Sequence, residues 1–270
     1  MLHIENLHKT FNPGTINEVR ALRGVSCTVE PGSFVVVLGT NGSGKSTLLN
    51  AVAGGFLPDT GKILLDGVDI TQFPEHKRAR LIGRVFQNPF TGTAPDMSIA
   101  ENLALAAKRG MHRGLGQALN KKSLEAFREQ LRLLKMGLED RLDNPIGKLS
   151  GGQRQAITLL MASWLKPRLL LLDEHTAALD PKTAAKVIQL TEEIIHRDQL
   201  TTMMVTHSMQ QAVNMGDRIL MMHQGQVRYD IGREEKKRLK ARDLLAMFDD
   251  IRKKEQVDAT TAEMLRQYYV

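Results

Sequence analysis

Two short stretches carry residues whose types and spacing can do chemistry. Gly39-Thr-Asn41-Gly42-Ser43-Gly44-Lys45-Ser46 fits the spacing G-x-x-x-x-G-K-[ST], and Leu169-Leu-Leu-Leu-Asp173-Glu174 closes an apolar run with two adjacent carboxylates. Glycines let a backbone turn tightly enough for successive N–H groups to point inward at a polyphosphate, and a helix starting at the end of such a loop adds its positive dipole end. Gly39, Asn41, Gly42, Ser43, Gly44 and Thr47 are therefore read as a polyphosphate cradle, with Lys45 a point charge for the β- and γ-phosphates and Ser46 a Mg²⁺ ligand. A chance match to the four fixed positions falls in about one chain in a hundred of this size. The two acids divide labour: Asp173 holds Mg²⁺ through its water shell, and Glu174 orients and deprotonates an attacking water. A glycine-rich turn or an apolar strand ending in solvent would each be unremarkable alone; their joint presence points to nucleotide hydrolysis.

Elements must hold these residues. Phe34–Leu38 reads as a strand feeding the loop and Thr47–Ala53 as the helix that leaves it. Further strands are expected around Ser26–Glu30, Lys62–Leu65, Ile82–Phe86, Leu169–Leu172, Thr202–Val205 and Ile219–Met222, the last followed by a hairpin turn at Gln224-Gly225. Between Asn88 and Trp164 the strand signal vanishes, and helix-period segments occupy Ala100–Lys108, Lys121–Lys135 and Gly151–Leu165. The expected organisation is an α/β core from 1–87 and 165–232 with a flanking antiparallel element, a helical insert over 88–164, and a helical tail over 233–270. In that tail Leu244, Phe248 and Ile251 recur at helical spacing, which fits a helix packed on its own core, with a partner-binding or membrane-surface helix as the alternative.

Composition narrows the classes. With 270 residues, 42% hydrophobic and 25% charged, the chain is globular rather than disordered, and its longest apolar runs fall far short of a bilayer span. The first residues, Met1–His8, lack the basic-then-apolar pattern of a secretory signal. A single cysteine, Cys27, permits neither an internal disulfide nor a cysteine zinc cluster, and His3, His8 and His112 have no metal-ligand spacing. A net charge of +7 invites nucleotide phosphate, nucleic acid or an anionic membrane face, while only 4% aromatic residues argue against stacking on single strands.

At Leu149-Ser150-Gly151-Gly152-Gln153-Arg154-Gln155 the sequence resembles the signature motif of the ABC (ATP-binding cassette) ATPases. The resemblance spans about residues 1–230, and further motifs occur in family order: Gln87 in Val85–Pro89 as the glutamine loop, Ala178-Leu-Asp180 as the D-loop, and His207 in Val205–Ser208 as the switch histidine. Independently, Ser150 as an N-cap followed by two glycines leaves N–H groups and a helix dipole facing outward, a second anion site. The resemblance implies a P-loop NTPase (RecA-like) core with an antiparallel β subdomain and an inserted α-helical signature subdomain. It also implies a head-to-tail homodimer in which Ser150, Gly151, Gly152 and Gln153 of one subunit meet ATP held by the other. Gln87 would sense Mg²⁺ and water, His207 the γ-phosphate, and Asp180 the partner; Phe11 would stack on adenine, with simple apolar packing as its alternative. His175 departs from the proline usual after the catalytic glutamate.

Within the family, the interval between loop and signature has no long heptads, unlike the DNA-associated types, and the chain carries one cassette, unlike the translation-associated ones. The resemblance therefore implies an ATPase subunit at the cytoplasmic face of the inner membrane, docked on separate permease subunits and served by an external substrate-binding protein. Asn12–Val19, Arg84–Gln87 and Asp173–Asp180 are similar to ATPase subunits of a tryptophan/tyrosine-type bacterial import group, which implies an amino-acid cargo. The alternative is a soluble ABC-type ATPase acting on nucleic acid or ribosomes.

Overall fold

The computed structural model describes residues 1–111 and 118–253. Its first half runs β1 (Leu2–Phe11), β2 (Val19–Val29), β3 (Phe34–Gly39), α1 (Lys45–Ala53), β4 (Thr60–Leu65), β5 (Val68–Asp69), α2 (Glu75–Arg78), β6 (Ile82–Val85), α3 (Ile99–Ala107) and α4 (Lys121–Leu133). It continues through α5 (Gly151–Ser163), β7 (Leu169–Asp173), α6 (Pro181–Asp198), β8 (Thr202–Thr206), α7 (Met209–Asn214), β9 (Arg218–His223), β10 (Gln226–Ile231), α8 (Arg233–Lys236) and a helix over 241–253, α9.

The strands form two sheets, one of six in the order β10-β9-β3-β8-β7-β6 and one of four in the order β2-β1-β4-β5. In the larger sheet β6, β7, β8, β3 and β9 are parallel and β10 returns antiparallel along β9. Every residue of β3, β7 and β8 is buried, which is why these strands read as uninterrupted apolar runs. Strand alternation then splits their side chains between two cores. Val35, Val37, Leu169, Leu171, Met203 and Val205 pack with α1 and the smaller sheet. Phe34, Val36, Leu38, Leu170, Leu172 and Met204 pack with helices α3 to α7 and α9.

The smaller sheet is more extensive than the sequence reading, which placed a strand only near Ser26–Glu30 and Lys62–Leu65. In β1 the period-two pattern of Leu2 and Ile4 is broken by a register shift before Leu7, with Asn6 at φ 45°. That bulge moves Leu7 onto the buried face and hides the strand from a count of alternating residues. Helix α6 was also unassigned, although Asp180 caps it, Pro181 opens it, and Val187, Leu190, Ile194 and Ile195 form its buried stripe. In α9, Leu244, Phe248 and Ile251 are buried in the helical core. The expectations for His112 and for 254–270 lie outside the described residues.

Cys27 faces the core of the smaller sheet, and burial pushes its thiol up to about 12. The expected consequence is a thiol inert to iodoacetamide in the native protein at pH 8 and modified once urea unfolds it; stoichiometric alkylation of the native chain would contradict this packing.

Candidate functional site

The loop from Gly39 to Gly44 leaves the end of β3, and Gly44, at φ 97°, is the N-cap of α1. A side chain at Gly44 would bring its Cβ to 2.5 Å from the Ala21 carbonyl, and one at Gly39 would collide with Ser43 and with the Met222 carbonyl. These two glycines are required by what surrounds the loop. Its back is fastened from both sheets: the Gly225 N–H donates to the Ser43 carbonyl at 3.0 Å, and the Arg23 N–H donates to the Gly225 carbonyl at 2.8 Å. The predicted hairpin turn at Gln224-Gly225 is thus a wall of the loop.

Inside the loop, the buried Lys45 ammonium donates to the Gly39 and Thr40 carbonyls at 2.8 and 2.9 Å. Burial lowers its pKa, while Glu174 and Asp173 pull it back up. The Ser46 hydroxyl donates to Asp173 Oδ1 at 3.1 Å, joining the start of α1 to the end of β7 although β8 lies between β7 and β3. Burial pushes the Asp173 carboxyl above the usual carboxylate range, opposed by the Ser46 hydrogen bond and the Arg84 guanidinium, 3.9 Å from Oδ2. Arg84 in turn donates to Asn50 Oδ1 at 2.7 Å and lies 4.4 Å from the Phe86 ring centre. Sequence reasoning missed Arg84 and Asn50; the available signal was a charged residue inside the buried strand Ile82–Val85.

Glu174 follows at φ 43°, a left-handed conformation that costs a non-glycine residue roughly 1–3 kcal/mol. Its N–H donates to the Val205 carbonyl at 3.0 Å, and its Oε2 receives Gln87 Nε2 at 3.1 Å and lies 3.3 Å from His207 Nδ1. Lys45, Ser46, Asp173, Glu174, Gln87 and His207, separated by up to 162 positions in sequence, are therefore brought to the ends of β3, β6, β7 and β8. His175 is buried, its Nε2 2.9 Å from Thr191 Oγ1, and burial depresses it to about 4.

The remaining predicted residues occupy other places. Ser150 caps α5 in a reciprocal pair with Gln153, each backbone N–H bonded to the other's side chain at 3.3 Å. Gly152 abuts α6, where an added Cβ would overlap Thr183 Cγ2, and the Thr183 N–H donates to the Asp180 carboxylate at 3.1 Å. Among the described residues no hydrogen bond or ion pair links Ser150–Gln153 to the phosphate loop, and Ser150 and Gly151 are exposed. Phe11 packs edge-on against Phe56, ring centres 5.3 Å apart.

The donors available to a cation are oxygens, the Ser46 hydroxyl and the Asp173 carboxylate, and no group of three or more His, Cys, Asp or Glu among the described residues forms a cage of its own. Such a sparse, hard donor set suits Mg²⁺, which completes its shell with water and phosphate oxygens.

The chain has relatives among known proteins in both sequence and fold. A family model described as "ABC transporter" matches residues 22–177. The chain is 42% identical over 254 residues to a tyrosine transport ATP-binding protein of Clostridioides difficile, covering 92% of this chain and 99% of that one. It is 36% identical to a methionine import ATP-binding protein, MetN, of Corynebacterium diphtheriae, covering 84% of this chain and 64% of that longer one. Among solved structures, the ATP-binding cassette MJ0796, dimeric in a post-hydrolysis state with ADP and Pi, superposes with a TM-score of 0.74 at 29% identity, over 86% of this chain and 98% of that one.

The wall at Gly225 is open to test. At φ 75°, with a Cβ 2.8 Å from the Ala21 carbonyl, Gly225→Val is expected to cost about 2 kcal/mol in urea unfolding and to weaken ATP binding several-fold, read by nucleotide titration. Unchanged affinity in a destabilised variant would uncouple the hairpin from the loop.

Proposed function

The chain belongs to the ABC transporter family of ATP-binding subunits, and we propose on that footing that it is the ATP-hydrolysing subunit of a bacterial importer of a small solute of amino-acid type. The convergence of Gln87 and His207 on one oxygen of Glu174, next to the Asp173–Ser46 pair, carries the mechanism. The loop amides and Lys45 hold the polyphosphate of ATP, and Phe11 offers its ring to adenine. Ser46 and Asp173, with Gln87 beside them, would hold Mg²⁺, which would screen the phosphate charge. Glu174 accepts the proton of the attacking water, and His207 contacts the γ-phosphate.

Ser150, Gly151, Gly152 and Gln153 serve a nucleotide held by a second copy of the chain, in a head-to-tail dimer. The exposure of Ser150 and Gly151 and the absence of a hydrogen bond from the four to the chain's own loop, among the described residues, support that reading, as does the dimeric state of MJ0796. Asp180, capping the helix that Gly152 touches, reports on the same interface.

Permease subunits are the remaining partners, with an external binding protein delivering cargo. A groove of roughly 440 Å³ between α2, β6, α3 and α5, lined by Glu75, Arg84, Phe86, Leu105 and Arg109, reaches the residue before Gln87 and suits a segment of such a permease. No helix among the described residues is long and apolar enough to cross a membrane; the membership in a family of transporter ATP-binding subunits supports a peripheral place at the cytoplasmic face. The 42% identity to a tyrosine transport subunit along nearly its whole length supports amino-acid cargo, while no relative reported above bears a name that supports action on nucleic acid or ribosomes.

Glu174→Gln keeps the shape and removes the base. ATP binding is expected to persist, hydrolysis to fall 10²–10³-fold, and closed dimers to accumulate on size exclusion with ATP; near-normal turnover would take Glu174 out of its role. Lys45→Ala is expected to weaken ATP affinity about tenfold or more, roughly 1.4 kcal/mol, and an unaltered titration would sink the phosphate-loop assignment.

A further inference from the structure

We propose that His175 is a positioning residue for Glu174, fastening the turn that carries the carboxylate to helix α6 through a buried hydrogen bond to Thr191. The inference rests on the reading of Glu174 given above. Three observations carry it.

Glu174 sits in a left-handed conformation, which persists only where its surroundings hold it. Strand pairing holds one side, through its N–H and the Val205 carbonyl. The other side begins at His175, whose ring is 3% exposed and whose Nε2 lies 2.9 Å from Thr191 Oγ1. Thr191 is fully buried, and its own hydroxyl proton is donated to the Val187 carbonyl at 2.7 Å. With that proton engaged, Thr191 Oγ1 is the acceptor and His175 Nε2 carries the hydrogen. The hydrogen bond thus has one direction.

The neighbouring residue extends the same fastening toward His207. Thr176 Oγ1 accepts from Gln211 Nε2 at 3.1 Å, Gln211 Oε1 accepts from the Thr206 hydroxyl at 2.7 Å, and Thr206 Oγ1 accepts from the Ser208 N–H at 3.0 Å. The residues after Glu174 are therefore tied to α6 on one side and to both flanks of His207 on the other. A rigid ring such as proline's restrains a turn through its own backbone; the histidine here restrains it through a side chain reaching another element.

The test compares Thr191→Val, which preserves volume and deletes the acceptor, with Thr191→Ser, which restores it, in the full-length chain. Steady-state hydrolysis and ATP titration are measured side by side. Thr191→Val is expected to lower kcat about tenfold with KM and ATP affinity within twofold of the parent, because displacement of a catalytic group acts on the chemical step. Thr191→Ser is expected to recover the parental kcat. Full-rate turnover by Thr191→Val, or a loss confined to ATP affinity, would overturn the proposal. Should Thr191→Val fail to fold, His175→Gln and His175→Leu decide instead: Gln retains the N–H donor and should keep kcat, Leu should lose it, and equal rates in the two would overturn the proposal. An active Glu174→Gln would remove the underlying reading whatever Thr191→Val does. An inactive Glu174→Gln beside a full-rate Thr191→Val would remove only the positioning role.

Discussion

A carboxylate taken out of water has to be compensated by neighbours, and the buried Asp173 sets that requirement for everything around it. Its desolvation is opposed by a hydroxyl from the start of α1 and a guanidinium from β6, while the desolvation that lowers the Lys45 pKa is opposed by Glu174 and Asp173. Each group is tolerable only because the others are present. The sheet order makes this possible: β3, β8, β7 and β6 lie side by side, so one edge of the sheet gathers the loop, the acids and the glutamine.

The second sheet has a less obvious part in the site. Its strand β2 supplies the Arg23 N–H that holds Gly225, which holds Ser43 of the loop. The Ala21 carbonyl on the same strand leaves no room for side chains at either Gly44 or Gly225. Loop geometry is thus enforced from behind by a sheet that contributes only Phe11 among the residues proposed to meet the nucleotide. Tight backbone packing of this kind admits few alternative arrangements, which suits a loop whose amides must already face the phosphates.

How much of this was legible in the sequence depended on range. The loop, the acidic strand end and the capping residue Ser150 announce themselves locally, because a glycine, an adjacent pair of acids or an N-cap has meaning within a few residues. The core strands were legible because burial on both faces makes them continuously apolar. Bulged β1 was not, since one extra residue at Asn6 shifts its alternation, and α6 went unassigned although its cap and stripe follow ordinary rules. Arg84, Asn50, Gly225 and Thr191 belong to a different class. Beyond a charge inside an apolar strand at Arg84 and a turn at Gly225, nothing near them in sequence signals their part, which is set by residues 16 to 202 positions away. Their contribution exists only in the folded arrangement.

The contact of Gly152 with Thr183 has an evolutionary consequence. The first turns of α5 and α6 interlock, since the methyl of Thr183 fills the space a side chain at position 152 would need. Bulk gained at 152 has to be matched by bulk lost at 183, and the cap from Asp180 limits how far that turn can withdraw. The two positions are therefore bound to drift together: descendants of this chain can explore new residues there in pairs, and a lineage that changes one alone passes through a misfit where α5 and α6 begin.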